Sequence, residues 1–211
     1  MRESYMTAGS SASAELLIQK SRFIGYVARA QTEQEAAEFI DSIKSLHRSA
    51  NHNCSAYMLG ENDNIQKAND DGEPSGTAGV PILEVLKKKQ LKDTVIVVTR
   101  YFGGIKLGSG GLIRAYGTAA SEALAAAGIV ERRLHSLVKV SMDYSWLGKV
   151  ENEVRQSEYP LKDIEYTESV NLYVYVPVQK EELFSIWLQE MTNGQSSLNC
   201  TSKEYLEFPF I

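Results

Sequence analysis

The stretch VTRYFGGIKLGSGGLIRAYG, residues 98–117, holds six of the chain's fifteen glycines and lies between two contrasting patterns. The run TVIVVTR, residues 94–100, overlaps the start of this stretch. It is mostly apolar and is typical of a strand buried on both faces. Apolar residues then recur at helical spacing over 109–127, and Gly128 ends that pattern. The stretch therefore predicts a buried strand that leads into a long helix through a glycine-rich loop.

The residues before this stretch predict an α/β unit. Their patterns indicate, in order, two strands within 13–30, a helix over 32–47, a strand over 53–60, a polar loop over 61–79 and a helix over 77–89. Thr32 and Glu35 form a capping pattern for the first helix, whose apolar stripe extends to Leu46. Ser109 is a candidate cap for the helix that follows the glycines.

The residues after Gly128 are more regular and predict a second domain. They indicate a strand over 136–144, a helix over 145–156 with Ser145 as its cap, strands over 162–168 and 169–178, a helix over 179–192 and a strand over 198–208. The order β-α-β-β-α-β is typical of the ferredoxin-like fold. VERRLH, residues 130–135, is interpreted as a charged connection. We therefore expect an α+β protein with two α/β-sandwich domains, 1–134 and 135–211.

Composition excludes several classes of protein. No apolar run approaches the roughly 20 residues that span a bilayer, and no signal sequence is evident, so we expect a cytoplasmic protein without a membrane partner. The two cysteines, 146 positions apart, indicate neither a disulfide framework nor a zinc site. The net charge of -5 divides into +1 for residues 1–136 and -6 for residues 137–211, so polyanion binding is expected only in the first part.

The glycine-rich loop is a candidate anion site because the first backbone N–H groups of a helix carry partial positive charge. Nucleotide fingerprints do not fit, since Ile113 occupies the third glycine position of GxGxxG and Ser109 the lysine position of a Walker A motif. The alternative is a purely structural turn with tight helix packing. The candidate phosphate-binding residues are Arg100, Tyr101, Gly103, Gly104, Lys106, Gly108, Ser109, Gly110, Gly111 and Arg114.

A second group of residues is a candidate rim for this site. Asp70, Asp71 and Glu73 place three carboxylates in four residues, which suits either a divalent cation or a solvated acidic turn. His52 and Cys54 lie two apart on one strand, an arrangement found in activated nucleophiles and, more often, in ordinary cores. Ser75 completes the rim of the same loop. We expect no metal, no cofactor and no catalytic residue here.

The second domain offers one competing site. Tyr173 and Tyr175 fall on the same face of a predicted strand, as the base-stacking aromatics of RNA-recognition motifs do. The acidic charge of this domain favours ordinary surface tyrosines or an interdomain contact instead.

Four segments carry a resemblance to a known family. KSRFIGY (20–26), ANHNCSAY (50–57), DDGEPSGTAGVPIL (70–83) and VVTRYFGGIKLGSGGLIRAYG (97–117) together resemble the IMPACT family, in its bacterial YigZ/YvyE-like branch. The resemblance implies a first domain similar to the second domain of small-subunit ribosomal protein S-five and to domain IV of elongation factor G. It also implies a ferredoxin-like second domain similar to domain V of that factor.

The resemblance implies a role near translation, since eukaryotic relatives regulate it by competing for the activator of a general-control kinase. The leading hypothesis is a non-enzymatic regulator of translation or stress that binds RNA, the ribosome or a translation-associated protein through the glycine-rich turn. One alternative is an enzyme acting on a small phosphorylated ligand or nucleotide, with Mg²⁺ on the acidic loop. The other is a protein–protein adaptor in which the glycines are structural.

Overall fold

The computed structural model describes residues 1–210 and divides them into two compact units. The first consists of Met1, Tyr5–Glu131 and residues 208–210, and the second of Arg2–Ser4 and Arg132–Glu207. The division lies inside a strand rather than in a connection. The segment 130–135, interpreted above as a charged connection, belongs to that strand, so the interpretation is wrong. Its side chains are half-buried or buried apart from Arg133, and this burial favours an extended ladder over a loop.

The first unit combines one five-stranded sheet with three helices. Strand β1 (Ser4–Ala8) belongs to the other sheet, which is described below. The elements of the first unit are β2 (Ala12–Ile18), β3 (Ser21–Arg29), α1 (Glu33–Leu46), β4 (His52–Leu59), β5 (Ile65–Asn69), α2 (Gly79–Lys88), β6 (Thr94–Tyr101) and α3 (Gly108–Ala127). The sheet order is β2-β3-β6-β4-β5, and each neighbouring pair is antiparallel. The buried strand and the helix predicted on either side of the glycines are confirmed.

The two faces of this sheet pack against different helices. Helices α2 and α3 cover one face, where Phe23, Val98 and Tyr116 join the main core. Helix α1 covers part of the other face around Tyr57 and Val95. Strand β6 lies at the centre and is buried on both sides, because Ile96 and Val98 belong to the main core and Val95 to the core beside α1. Residues 95–98 have no exposed surface.

Three local expectations are corrected by the structure. The polar segment 61–79 contains the edge strand β5, whose side chains are almost all exposed. Leu46 is 67% exposed and does not extend the buried stripe of α1. Ser109 lies inside the first turn of α3, where Leu107 holds the N-cap position.

The second unit has the predicted element order β-α-β-β-α-β. Its elements are β7 (Ile129–Met142), α4 (Tyr144–Gln156), β8 (Leu161–Tyr166), β9 (Val170–Pro177), α5 (Glu181–Thr192) and β10 (Ser197–Pro209). The strand order is β1-β7-β9-β8, with β10 also paired to β7. Asp143, and not Ser145, caps α4 by accepting a hydrogen bond from the Ser145 backbone N–H at 2.8 Å.

The hydrophobic core of the second unit lies between its sheet and α4 and α5. Val140, Leu172, Phe184 and Leu188 are among its buried members. Within residues 1–210, no helix combines the length and the apolar character needed to cross a membrane.

Candidate functional site

Strand register brings the candidate residues to one edge of the first sheet. Tyr101 at the end of β6 pairs with Arg22 at the start of β3, and Arg100 pairs with His52 at the start of β4. The β5 end lies at the same edge, because Asn69 pairs with Ser55. Helices α2 and α3 therefore both begin there. We call this the glycine edge, comprising residues 19–22, 50–54, 69–79 and 100–111.

The glycine loop is held against the β2–β3 turn. A Cβ on Gly103 would lie 2.0 Å from the carbonyl carbon and oxygen of Lys20, so no other residue fits without a backbone shift. The Gly103 backbone N–H donates to Ser21 Oγ at 3.2 Å. Gly104 and Gly108 have φ values of 84° and 70°, a conformation that glycine adopts without strain. Part of the glycine content is therefore structural.

Helix α3 differs from α1 and α2 at its N-terminus. Thr32 caps α1 by accepting the Glu35 N–H at 3.1 Å, and Asp70 caps α2 from outside the helix. No side chain caps α3, and its first turn holds no acidic residue. Gly108, Ser109 and Gly110 are exposed. The first turn of α3 thus presents uncapped backbone N–H groups at the surface, as an anion site requires.

Two of the three predicted cations are exposed beside this turn. Lys106 precedes α3 and Arg114 follows its first turn, and both side chains are exposed. Lys20, which the sequence did not single out, is exposed on the turn that Gly103 contacts. These three side chains place positive charge around the N-terminus of α3.

Arg100 does not match its expected role as a phosphate-contacting cation. Its side chain is buried, and its Nη1 lies 2.6 Å from Glu73 Oε1. The Arg100 guanidinium also lies 5.4 Å from the ring centroids of both Phe23 and Phe102. Its position on β6 points it toward α3 and into the core, where Glu73 balances its charge.

Glu73 is the centre of a buried polar cluster rather than an open rim residue. Its Oε1 also accepts a hydrogen bond from the Tyr116 hydroxyl at 2.8 Å, and His52 Nε2 lies 3.8 Å away. Burial, with Cys54 beside it, raises the pKa of Tyr116, so this hydroxyl stays protonated and remains a donor. The cluster ties the loop before α2 to both β6 and α3.

The other rim residues fold the same loop onto β4. Asp71 accepts hydrogen bonds from the Asn53 N–H at 2.7 Å and from Lys44 Nζ at 3.2 Å, and its carbonyl lies 2.9 Å from His52 Nδ1. Cys54 Sγ donates to the Asp70 carbonyl at 3.0 Å. The predicted rim residues are therefore brought together, but by contacts that hold the loop against its neighbours. Among them only Ser75 is exposed.

Neither metal binding nor nucleophilic chemistry is supported at this rim. Asp70, Asp71 and Glu73 engage separate partners, and no three metal-ligating side chains converge within residues 1–210. Burial raises the pKa of Cys54 to about 12, so its thiol stays protonated at neutral pH and is a poor nucleophile.

Asp70 organises the start of α2 and makes it sensitive to acid. Its carboxylate accepts backbone N–H bonds from Gly76, Ala78 and Gly79 at 2.8, 3.0 and 2.8 Å. Burial alone would raise the pKa of Asp70, but these three donors together lower it below its ordinary value of 3.8. Helix α2 has no capping side chain at its own N-cap position, so Asp70 replaces one from eight residues upstream.

We expect Asp70→Asn to lower the free energy of unfolding by about 1–2 kcal/mol at pH 7, because an amide cannot accept all three bonds. A carboxylate with a depressed folded-state pKa stabilises the protein above its ordinary pKa, and this contribution disappears as pH falls through the folded-state value. The wild-type advantage should therefore be constant above about pH 5 and shrink below pH 4. Urea unfolding of wild type and Asp70→Asn, measured at several pH values from 7 down to below 4, gives the difference in free energy of unfolding that checks this. An advantage that persists unchanged in acid contradicts the assignment.

A hydrogen-bonded group of one histidine and two tyrosines, which was not predicted from the sequence, lies on the opposite face of the sheet. His47 Nε2 lies 2.5 Å from the Tyr26 hydroxyl, and His47 Nδ1 lies 2.9 Å from the Tyr101 hydroxyl. Burial, with Arg22 nearby, lowers the pKa of His47. Tyr101, a predicted phosphate contact, thus bonds to His47 at the end of α1. The pairing of β3 with β6 and the position of the end of α1 beside them bring these residues together.

The tyrosine pair in the second unit is engaged within its own sheet. Tyr173 and Tyr175 donate hydrogen bonds to Glu165 and Glu204 at 3.1 and 3.0 Å. Lys139 and Lys162 lie 6.0 and 5.2 Å from the two ring centroids. These contacts account for both tyrosines without a nucleic acid.

Comparisons with known proteins agree across both units. The profile of the Impact N-terminal domain matches residues 19–124, and a domain of unknown function, DUF1949, matches residues 140–195. The chain is 58% identical over 207 residues to the IMPACT family member YvyE of Bacillus subtilis, covering 98% of this chain and 95% of the relative. It is 33% identical over 200 residues to YigZ of Escherichia coli, covering 93% and 97%.

Two further matches are a partial relative and a solved structure. A protein IMPACT homolog of Dictyostelium discoideum is 40% identical over 93 residues, covering 42% of this chain and 26% of the relative. A solved structure titled "Crystal structure of an hypothetical protein" superposes with a TM-score of 0.61 and 31% identity, covering 96% of this chain and 99% of that one. With both domain profiles in order and near-full-length relatives, the chain belongs to the IMPACT family.

Proposed function

We propose that this protein is a non-enzymatic regulator, acting in translation or a stress response, that binds RNA or RNA-bearing translation particles through the glycine edge. The observation that carries the proposal is the exposed, uncapped N-terminus of α3 with Lys20, Lys106 and Arg114 around it. Backbone N–H groups and exposed cations together suit a phosphate backbone. The resemblance to a family with translation regulators supports the cellular setting.

The acidic residues at this edge do not oppose the proposal. The Asp70, Asp71 and Glu73 carboxylates all accept hydrogen bonds within the loop or from its neighbours. Such internal pairing reduces their repulsion toward an approaching polyanion. The loop therefore acts as a support for the start of α2 rather than as a negative barrier beside α3.

A groove between α2 and α3 extends the basic surface away from the edge. The groove has a volume of about 440 Å³, and its lining includes Lys88, Arg114 and Ser121 together with Glu84. Arg114 thus lies both near the first turn of α3 and in the groove. A phosphate chain that starts at the α3 N-terminus has polar and cationic partners along this path.

The test is RNA binding by Lys106→Ala/Arg114→Ala over a salt series, measured by fluorescence anisotropy with a labelled single-stranded RNA. We expect affinity to fall about tenfold near 0.1 M salt, and the slope of log K against log salt to lose about 1.4, since each single-strand phosphate contact contributes about 0.7. Lys149→Ala/Arg155→Ala is the matched control, because it removes one exposed lysine and one exposed arginine from α4 in the second unit. That control should change both quantities little.

Other outcomes separate the competing functions. If wild type binds neither RNA nor ribosomes, or if both double variants weaken binding equally, the proposal is wrong. Specific thermal stabilisation by nucleotides, increased by Mg²⁺, would instead favour an enzyme of small phosphorylated ligands. Ribosome capture that survives nuclease treatment and both double substitutions would favour a protein adaptor.

A further inference from the structure

We infer that Phe102 is a stacking platform for an unpaired base, so the RNA bound at the glycine edge is single-stranded. This inference rests on the proposed function. Phe102 is 46% exposed although it follows the buried strand β6 directly. An aromatic ring held at the surface beside cations is the arrangement by which proteins grip single strands.

The backbone that carries Phe102 is held in place on both sides. Its own N–H donates to Asn51 Oδ1 at 2.8 Å. The next residue, Gly103, donates to Ser21 Oγ and leaves no space for a side chain against Lys20. Little conformational freedom remains to be lost when a base stacks on the ring, which favours binding.

The ring is also supported from the inside of the domain. The Arg100 guanidinium lies 5.4 Å from the Phe102 ring centroid and 5.4 Å from that of Phe23. Arg100 is only 5% exposed, so this contact occupies the inner side of the ring and leaves its exposed part toward solvent. The buried ion pair between Arg100 and Glu73 fixes the guanidinium, and through it the position of the platform.

Phosphate partners lie a few residues along the chain from the ring. Lys106 is exposed, and the uncapped first turn of α3 begins at Gly108. Ile105, 40% exposed, adds apolar surface between them. A duplex keeps its bases stacked on one another, so only an unpaired base can use the ring while its backbone reaches these groups.

The test compares one RNA sequence as a single strand and as an annealed duplex, with wild type, Phe102→Ala and Phe102→Trp. We expect wild type to prefer the single strand. Phe102→Ala should weaken single-strand binding by about 5- to 100-fold while leaving the salt slope unchanged, because stacking releases no counterions. Phe102→Trp should restore affinity, and its fluorescence should be quenched by RNA beyond that of Trp146 and Trp187 in wild type.

Two controls keep the test specific. Tyr166→Ala removes another exposed aromatic, 61% exposed and in the second unit, and should leave binding unchanged. Circular dichroism and thermal unfolding should show Phe102→Ala to be folded, since the ring is not in the core. If it is unfolded, the retained affinity and quenching of Phe102→Trp carry the test.

The outcomes distinguish this inference from the proposed function. Suppose that Lys106→Ala/Arg114→Ala lowers the salt slope, but Phe102→Ala binds RNA normally or the duplex binds as well as the single strand. The stacking inference is then wrong, while the proposed RNA site is supported. If wild type binds no RNA, both are wrong. If Phe102→Ala abolishes nuclease-resistant capture of a ribosomal protein without affecting RNA binding, the ring serves a protein contact and the inference is overturned.

Discussion

Replacement of Glu73 by alanine is expected to lower the free energy of unfolding by about 3–5 kcal/mol, because it leaves the Arg100 charge buried without its partner. Arg100 and Glu73 side chains are 6% and 4% exposed, so water cannot replace the lost carboxylate without rearrangement. The Tyr116 hydroxyl loses its acceptor at the same time. Chemical denaturation at neutral pH measures the change.

Two further variants separate the loss of the buried ion pair from the effect of removing any acidic side chain. Glu84→Ala removes an acid that is 61% exposed in its pair with Lys87, and should change stability by less than about 0.5 kcal/mol. Glu73→Leu/Arg100→Met removes both charges, and should be more stable than Glu73→Ala. A loss below about 1 kcal/mol for Glu73→Ala would show that Arg100 is not committed to this pair.

Phe23→Ala is expected to destabilise the first unit by about 3–5 kcal/mol, the usual range for a buried aromatic in a well-packed core. Phe23 has no exposed surface, and its ring meets that of Tyr116 edge-on at 5.3 Å. It also lies under the Arg100 guanidinium. The cavity would therefore remove support from the same residues that hold the glycine edge.

Phe102→Ala is the matched control for this substitution. It deletes the same kind of side chain from an exposed position directly after β6, so its effect on unfolding should be a small fraction of that of Phe23→Ala. Denaturant midpoints and slopes of both variants test this, with unchanged slopes indicating an unchanged folded state. Equal losses for the two variants would contradict the assignment of Phe23 to the core and Phe102 to the surface.

The local elements were predictable because their signals are local. The capping pattern at Thr32, the continuous apolar run of β6 and the glycine stop after α3 all act within a few residues. The β-α-β-β-α-β order of the second unit followed from the same kind of pattern. The likeness of either domain to ribosomal or elongation-factor domains stays a prediction.

The predictions failed where pairing with another strand decides the local structure. Strand β5 is polar and exposed, and only its pairing with β4 makes it a strand. The segment 130–135 is charged, yet it forms part of the first half of β7. Periodicity compares residues along one segment and does not detect pairing with another strand, whether that strand is adjacent, as β4 is to β5, or far along the chain, as β9 is to β7.

By itself the sequence determined the helices, most of the strands, the glycine-rich turn after β6 and the membership of the family, since these depend on short-range pattern and identity. Only the tertiary structure decided which charges are available. It paired Arg100 with Glu73, capped α2 with Asp70, and left Phe102, Lys106 and Arg114 exposed around the uncapped α3. The reason is that burial and ion pairing depend on which strands and loops meet at an edge of the sheet. A charged side chain that is buried and paired inside the fold cannot bind a phosphate at the surface.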